Sequence, residues 1–252
     1  MEIVHIAAGD YPKYESLLLQ RDQLKKEALI YRRLYIREFG ELINKVFEKK
    51  IECIRLKKSI TFCQIARNKG EKPDLFAMNE YIAQQMKEYR KQLDDMVSEL
   101  NSTKKDSSIS PADSKEIKAI YRKIARQIHP DMSSITAEHP ELMELWEQAS
   151  VAYKCNDLKL LRETDFLVQK IISKLGEESF AVTIPDIGLR ISELEKEIDT
   201  IINTEPYSYK LVLEDKEEIA DRKSAYETEL KQYTEYEKQL SKQLELLTGG
   251  VE

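Results

Sequence analysis

Three adjacent residues, His129, Pro130 and Asp131, stand where a basic stretch of the chain ends. An imidazole two residues from a carboxylate can support acid–base chemistry. No activated nucleophile, glycine-rich phosphate loop or metal-ligand spacing accompanies this pair. The three cysteines are scattered and none has zinc-ligand spacing (Cys53, Cys63 and Cys155). The residue types therefore predict no enzyme and no cofactor, and they point to a binding motif.

The segment before this motif combines an apolar stripe with a cationic face. Apolar residues recur from Ile117 to Ile128 at steps of three and four, as expected for one face of a helix. His129-Pro130 must end that helix, because the residue before a proline avoids the helical conformation. An ordinary surface helix has the same pattern, so the pattern alone is not specific. The basic residues recur at helical steps on another face (Lys115, Lys118, Arg122 and Arg126).

Together these residues resemble the J domain of the DnaJ family. The second helix of that domain reads like Tyr-Arg-Lys-Leu-Ala and closes with a His-Pro-Asp loop. Here Tyr121-Arg122-Lys123-Ile124-Ala125 stands at the expected distance before His129-Pro130-Asp131. The resemblance covers roughly residues 112–163, about a fifth of the chain. The next helix matches at the positions where the family carries Phe, Ile, Ala and Tyr (Trp146, Ala149, Ala152 and Tyr153).

This resemblance implies a co-chaperone that binds a DnaK-type chaperone and stimulates its ATP hydrolysis. Asp131, in a loop held by Pro130, would form an ionic hydrogen bond with an arginine of the partner. His129 would order the loop and make a short-range contact. We expect the loop to be exposed between two helices, so that neither His129 nor Asp131 is essential to the core. The basic helix would meet an acidic surface of the partner's ATPase domain (through Lys118, Arg122, Lys123 and Arg126).

The chain departs from the family pattern in several places. The usual first helix, with a Tyr-x-x-Leu-Gly pattern just upstream, is missing, and we expect the end of the helix at 75–100 to take its packing role. The loop at 132–136 lacks the usual basic and asparagine residues. Neither a Gly/Phe-rich region nor a CxxC module is present, so the chain does not look like a general DnaJ.

The composition predicts an all-α protein. Charged residues make up 34% of the chain and only seven glycines and seven prolines interrupt it, which favours long helices. Helices over about 14–69 and 75–100, separated by a Gly-Pro turn, predict an antiparallel hairpin. Helices over about 112–128, 140–153 and 158–175 form the J-like centre.

A second antiparallel hairpin is predicted at the C-terminal end. Apolar residues recur from Ile187 to Ile201, and heptads run from Ile219 to Leu247, with Glu237 at one position that should be apolar. The expected architecture is thus a J-domain-like helical hairpin flanked by long antiparallel coiled-coil helices. Its segments are an N-terminal helical hairpin at 1–101, a J-domain-like region at 102–176 and a C-terminal coiled-coil hairpin at 177–252.

Charge and hydropathy restrict the partners. A net charge of −6 argues against general nucleic-acid binding. Neither a signal peptide nor a stretch long enough to cross a membrane is visible, so we expect a cytoplasmic protein without a membrane partner. The two hairpins would hold an unknown client or target, and either heptad stretch could pair two copies of the chain. The alternative is a non-catalytic helical scaffold with a degenerate J-like fold.

The cationic face yields a first testable prediction. Arg122→Glu combined with Arg126→Glu should weaken chaperone binding mainly by lowering the association rate, because exposed charges steer encounter more than they anchor the complex. Stopped-flow association at several salt concentrations measures this, since salt screens the attraction. The matched control is Lys170→Glu with Lys174→Glu, which has the same spacing outside the motif. An association rate that neither the Arg122/Arg126 variant nor salt changes would make this face an ordinary solvated surface.

Overall fold

The computed structural model describes residues 10–105, 109–175 and 186–249, and over these residues it contains ten helices and no strand. The all-α prediction is therefore confirmed for the described residues. Parts of the predicted linker at 101–114 and of the lead-in to the last section lie outside them. The helices are α1 (Asp10–Asn68), α2 (Leu75–Gln85), α3 (Lys87–Lys105), α4 (Pro111–Ile128), α5 (Ser134–Glu138), α6 (Pro140–Cys155), α7 (Leu158–Leu175), α8 (Ile187–Asn203), α9 (Tyr209–Glu214) and α10 (Lys216–Thr248).

The helices begin and end where the local sequence indicates. Ser110 caps α4 by accepting a hydrogen bond from the Asp113 amide at 3.0 Å, and Pro111 takes the first helical position. His129 has extended backbone angles and ends α4 before Pro130, as predicted. Asn156 ends α6 with a φ of 59°, a left-handed conformation that asparagine tolerates better than most residues.

By their internal contacts the residues form two compact units, and α1 contributes to both. The first unit consists of 1–32 with 107–208, and the second of 33–106 with 209–252. This grouping differs from the predicted segments at 1–101, 102–176 and 177–252. The reason is that a helix as long as α1 presents apolar side chains to different neighbours along its length.

In the second unit α1 forms an antiparallel hairpin with α2 and α3, as predicted. Near the turn, buried Cys63 packs in one cluster with Met78, Ile82 and Met86. Further from the turn, Glu41 pairs with Lys104, whose Nζ lies 2.7 Å from its carboxylate. Residues of α1 further before the turn therefore contact residues further after it, as expected for two antiparallel arms.

The long helix α10, which follows the short α9 in this unit, packs along α1 in the same direction. The hydroxyls of Tyr35 and Tyr226 lie 3.1 Å apart, and Arg67 donates to the Leu246 carbonyl. Glu237, at its unexpected heptad position, is explained by Lys49, whose Nζ lies 2.7 Å away.

This arrangement differs from the predicted C-terminal hairpin of α8 with α10. The stripe of α10 packs on α1 in the second unit, where Leu240 joins Cys53, Leu56 and Ile60. The stripe of α8 packs in the first unit, where Ile187, Ile191 and Leu194 join Tyr14 and Leu18 at the start of α1. A heptad pattern indicates that a helix has a buried stripe, but it does not name the partner.

The first unit is built on α4, α6 and α7. Their apolar faces share one core that includes Ile117, Leu142, Leu161 and Val168, all fully buried. The start of α1 and α8 pack on this assembly through a second cluster, to which α4 contributes Ala125.

Gly40 provides a test of the hairpin. A Cβ atom at Gly40 would lie 2.9 Å from Leu100 Cδ1, closer than carbon atoms normally approach. Gly40→Leu should therefore lower the free energy of unfolding by about 1–3 kcal/mol, although leucine favours helices more than glycine does. Urea unfolding measures the change. Gly188→Leu is the control, because nothing lies within 4 Å of a Cβ there. A Gly40→Leu variant as stable as the native chain would contradict the close approach of the two helices.

Candidate functional site

The motif turn is closed by hydrogen bonds to His129. The amides of Met132 and Ser133 donate to the His129 carbonyl at 2.9 and 2.8 Å. The Asp131 amide donates to the ring nitrogen Nδ1 of His129 at 3.0 Å. Because Nδ1 accepts this bond, the proton of the neutral ring lies on Nε2. His129 therefore fixes the backbone of Asp131 from within the turn.

His129 is buried, with 2% of its surface exposed. Its ring packs against Trp146 at a centroid distance of 4.4 Å, and its Nε2 lies 3.8 Å from the carboxylate of Asp22. The prediction that the loop leaves His129 exposed is therefore wrong, because the start of α1 covers it. Asp131 differs, since its side chain is 43% exposed.

A compact polar network joins α1 to the motif through Asp22. The side chain of Asp22 is 12% exposed, so its carboxylate needs donors to replace water. It accepts hydrogen bonds from the Tyr121 hydroxyl at 2.8 Å and from the Arg21 guanidinium at 3.0 Å. Arg21 Nη1 also lies 3.4 Å from Asp131 Oδ2. In the tautomer inferred above, the 3.3 Å approach of Arg21 to His129 Nε2 brings two donors together and is packing rather than a hydrogen bond.

An aromatic stack supports this network from α4 and α6. The rings of Tyr121 and Tyr153 are nearly parallel, 8° apart with centroids at 3.9 Å, and such pairs contribute about 0.5–1.5 kcal/mol beyond burial. Tyr121 contacts α6 near its end and His129 contacts it at Trp146, so α4 and α6 are antiparallel. Lys26 of α1 lies over the Tyr153 ring at 3.9 Å. Burial lowers the pKa of Lys26 to about 8, and the nearby Lys118 cation acts in the same direction.

The start of α1 thus covers α4 and α6, the role predicted for the helix at 75–100. That expectation is corrected, because α3 packs on α1 in the second unit. The sequence does contain part of the Tyr-x-x-Leu-Gly pattern of the family's first helix. Tyr14-Glu15-Ser16-Leu17 reads Tyr-x-x-Leu, but it lies far upstream of α4 rather than adjacent to it. The Tyr14 hydroxyl donates to the Asp131 carbonyl at 3.4 Å. No comparable pattern marked Arg21 or Asp22.

The predicted basic residues divide between two places. Lys118, Arg122 and Arg126 line one groove, whose other wall is formed by residues of α1, most of them polar. Arg126 remains 61% exposed but pairs with Glu15 at 2.6 Å. Lys123 lies apart and pairs with Asp165 of α7 at 2.8 Å. Three of the four cations are therefore brought together, while the fourth is engaged by a neighbouring helix.

The parts of the chain that the structure describes contain no cluster of histidine, cysteine and carboxylate side chains able to hold a metal ion. None of their helices is long and apolar enough to cross a membrane. Comparison of the chain with family models, curated proteins and solved structures found no match. The J-domain resemblance therefore depends on the residues within 112–163, and the function it implies is a proposal.

The burial of His129 predicts how stability depends on pH. Burial lowers its pKa below the ordinary value of 6.5, and Arg21 acts in the same direction against the opposing carboxylates of Asp22 and Asp131. The unfolded chain therefore binds the proton first. The contribution of neutral His129 is complete well above pH 6.5 and is lost as the pH falls through 6.5 towards the folded pKa.

We expect the free energy of unfolding to decrease between about pH 7.5 and pH 5, and the decrease to be smaller in His129→Gln, which cannot take up a proton. Urea unfolding across this range measures both slopes. His139→Gln controls for the loss of a histidine as such, since the side chain of His139 is 31% exposed. Equal slopes in the native chain and His129→Gln would contradict the role given to burial.

Proposed function

We propose that this chain is a J-domain co-chaperone that binds a DnaK-type chaperone and stimulates its ATP hydrolysis, while its hairpins act as an adaptor for a client or target. The observation that carries the proposal is the placement of His129-Pro130-Asp131 at the end of a basic helix, where α4 meets the antiparallel α6. The chain itself would catalyse nothing. A cytoplasmic location is part of the proposal, supported by the three free cysteines (Cys53, Cys63 and Cys155).

In this proposal Asp131 is the residue that contacts the partner directly. Arg21 approaches only Oδ2, at 3.4 Å, which is long for an ionic hydrogen bond of about 2.7–2.9 Å. Among the described residues no group bonds Oδ1. One carboxylate oxygen is therefore free for an arginine of the chaperone, and the other is only weakly engaged.

His129 acts as a positioning residue in this proposal. Its Nδ1 holds the Asp131 amide, and its ring is held in turn by Trp146 and by the cover of α1. A backbone fixed in this way presents the Asp131 carboxylate in one orientation, which lowers the entropy lost on binding.

The cationic groove would guide the encounter. Lys118, Arg122 and Arg126 concentrate positive charge beside the turn, which attracts an acidic surface over several ångströms. Contact at Asp131 would then favour the hydrolysis-competent state of the chaperone by binding it more tightly than the other state. Because Glu15 pairs with Arg126, Lys118 and Arg122 would carry more of this attraction.

A non-catalytic scaffold is the second candidate. It is favoured by the same network, because Arg21 occupies the position beside Asp131 that a partner arginine would take. In this reading His129, Asp22 and Arg21 are structural, and the unit is a helical platform whose J-like turn contacts no chaperone.

Asp131→Asn separates the two candidates. The substitution keeps the size of the side chain and the amide that bonds His129, but it removes an ionic hydrogen bond worth roughly 1.5–3 kcal/mol, enough to lower affinity about tenfold or more. We expect stimulation of ATP turnover by the DnaK-type chaperone of the same organism to be lost. The melting temperature should change little, because the carboxylate is 43% exposed. Both quantities are measured on the same preparation.

The matched control is Asp95→Asn, which neutralises an exposed carboxylate on α3. It should leave stimulation unchanged. His129→Gln is expected to lose stimulation as well, together with some stability, because its ring is buried. The scaffold is the correct reading if the native chain does not stimulate the chaperone, or if Asp131→Asn stimulates it as well as the native chain does.

A further inference from the structure

The tip of the α1–α2 hairpin contains an apolar groove that no part of the proposed chaperone contact uses. Its floor includes Phe62 and Tyr81, whose ring centroids are 5.9 Å apart, and Ile65. Ile65 is 52% exposed and Tyr81 41%. Large apolar side chains this open to water, placed side by side in a concavity, indicate a binding surface more than a packing defect.

The rim of this hairpin-tip groove is basic. Lys58, Lys69 and Lys72 border it, and no ion pair among the described residues engages Lys69 or Lys72. Within the described residues, the hydrogen bond of the Lys58 ammonium goes to an uncharged acceptor, the amide oxygen of Gln85. Of the two acids on the rim, Asp74 already accepts hydrogen bonds from the first amides of α2, so its carboxylate is committed to capping the helix.

The groove also has the form of a helix-binding furrow. Lys58, Phe62 and Ile65 recur at steps of four and three, so they line one face of α1, and Lys69 follows in the turn directly after the helix. Tyr81 comes from α2, which runs antiparallel to α1. A furrow between two antiparallel helices accepts a third helix, whose apolar residues enter at i, i+3, i+4 and i+7.

We propose that the hairpin-tip groove binds an amphipathic helix of a partner protein whose apolar stripe is flanked by acidic residues. The apolar stripe would cover Phe62, Ile65 and Tyr81, and the flanking carboxylates would meet Lys69 and Lys72. This inference rests on the adaptor half of the proposed function and names the chemistry of the target. An anionic lipid surface fits less well, because the lining residues lie in a concavity and cannot insert between acyl chains.

The probe is a fluorescein-labelled synthetic peptide of about 18 residues, long enough to form a helix, with leucines at helical spacing and glutamates on both flanks. The full chain is titrated into it and the anisotropy is measured. Ile65→Asn, and separately Lys69→Glu with Lys72→Glu, should each weaken binding about tenfold or more. All three positions are exposed, so the fold should be unaffected. The control is Lys87→Glu with Lys91→Glu on the exposed surface of α3, which should bind as the native chain does.

Two further arms decide the nature of the partner. A peptide with lysine in place of every glutamate should bind much more weakly. Vesicles of phosphatidylserine and phosphatidylcholine are tested because Phe76, two residues after Asp74 of the rim, is 73% exposed. The proposal is overturned if the acidic peptide does not bind, if the groove variants do not weaken it, if the lysine peptide binds equally well, or if only vesicles bind. No chaperone is present in this assay. Absence of peptide binding is therefore distinguishable from absence of stimulated ATP turnover.

Discussion

The nearly buried carboxylate of Asp22 is the group on which the arrangement of the motif depends. A charge removed from water is tolerated only where donors replace the lost solvent, and here Tyr121 and Arg21 do so. The bond from Tyr121 connects the start of α1 to the middle of α4, and Arg21, which also approaches Asp131, extends the network to the motif turn. Covering His129 with α1 is possible because the Asp22 carboxylate brought inside with it accepts hydrogen bonds from Tyr121 and Arg21, and because Nδ1 of His129 accepts one from its own turn.

The motif is thereby divided into an internal and an external half. His129 faces inward, where Trp146 and α1 exclude water. Its Nδ1 accepts a hydrogen bond from the backbone amide of Asp131 in the same turn. Asp131 faces outward with one oxygen unbonded among the described residues. The residue that would make contact can therefore be mutated with little structural cost, whereas its positioning partner cannot. Under the proposed function, contact with the partner and stability would be separable at Asp131 and coupled at His129.

The long α1 helix has a comparable effect on the architecture. Its early residues complete the core around α4 and α8, and its later residues form a bundle with α2, α3 and α10. Each of these neighbours has an apolar stripe of helical period, and α1 offers matching stripes on successive faces. This explains why α8 and α10, which only the short α9 separates along the chain, bury their stripes in different units.

The sequence by itself determined the helical class, most helix ends, the N-terminal hairpin and the location of the motif turn, because these follow from periodicity, capping residues and the backbone restriction of Pro130. It also indicated that Glu237 was out of place in its heptad, although not that Lys49 would pair with it. Only the tertiary structure decided which stripes meet, that α1 covers the motif, and that His129 is buried while Asp131 is not. Helical periodicity specifies that a face must be buried but not by what, since any stripe of similar width satisfies the hydrophobic requirement. Residues such as Arg21 and Asp22 acquire their roles only through neighbours that are far away along the chain.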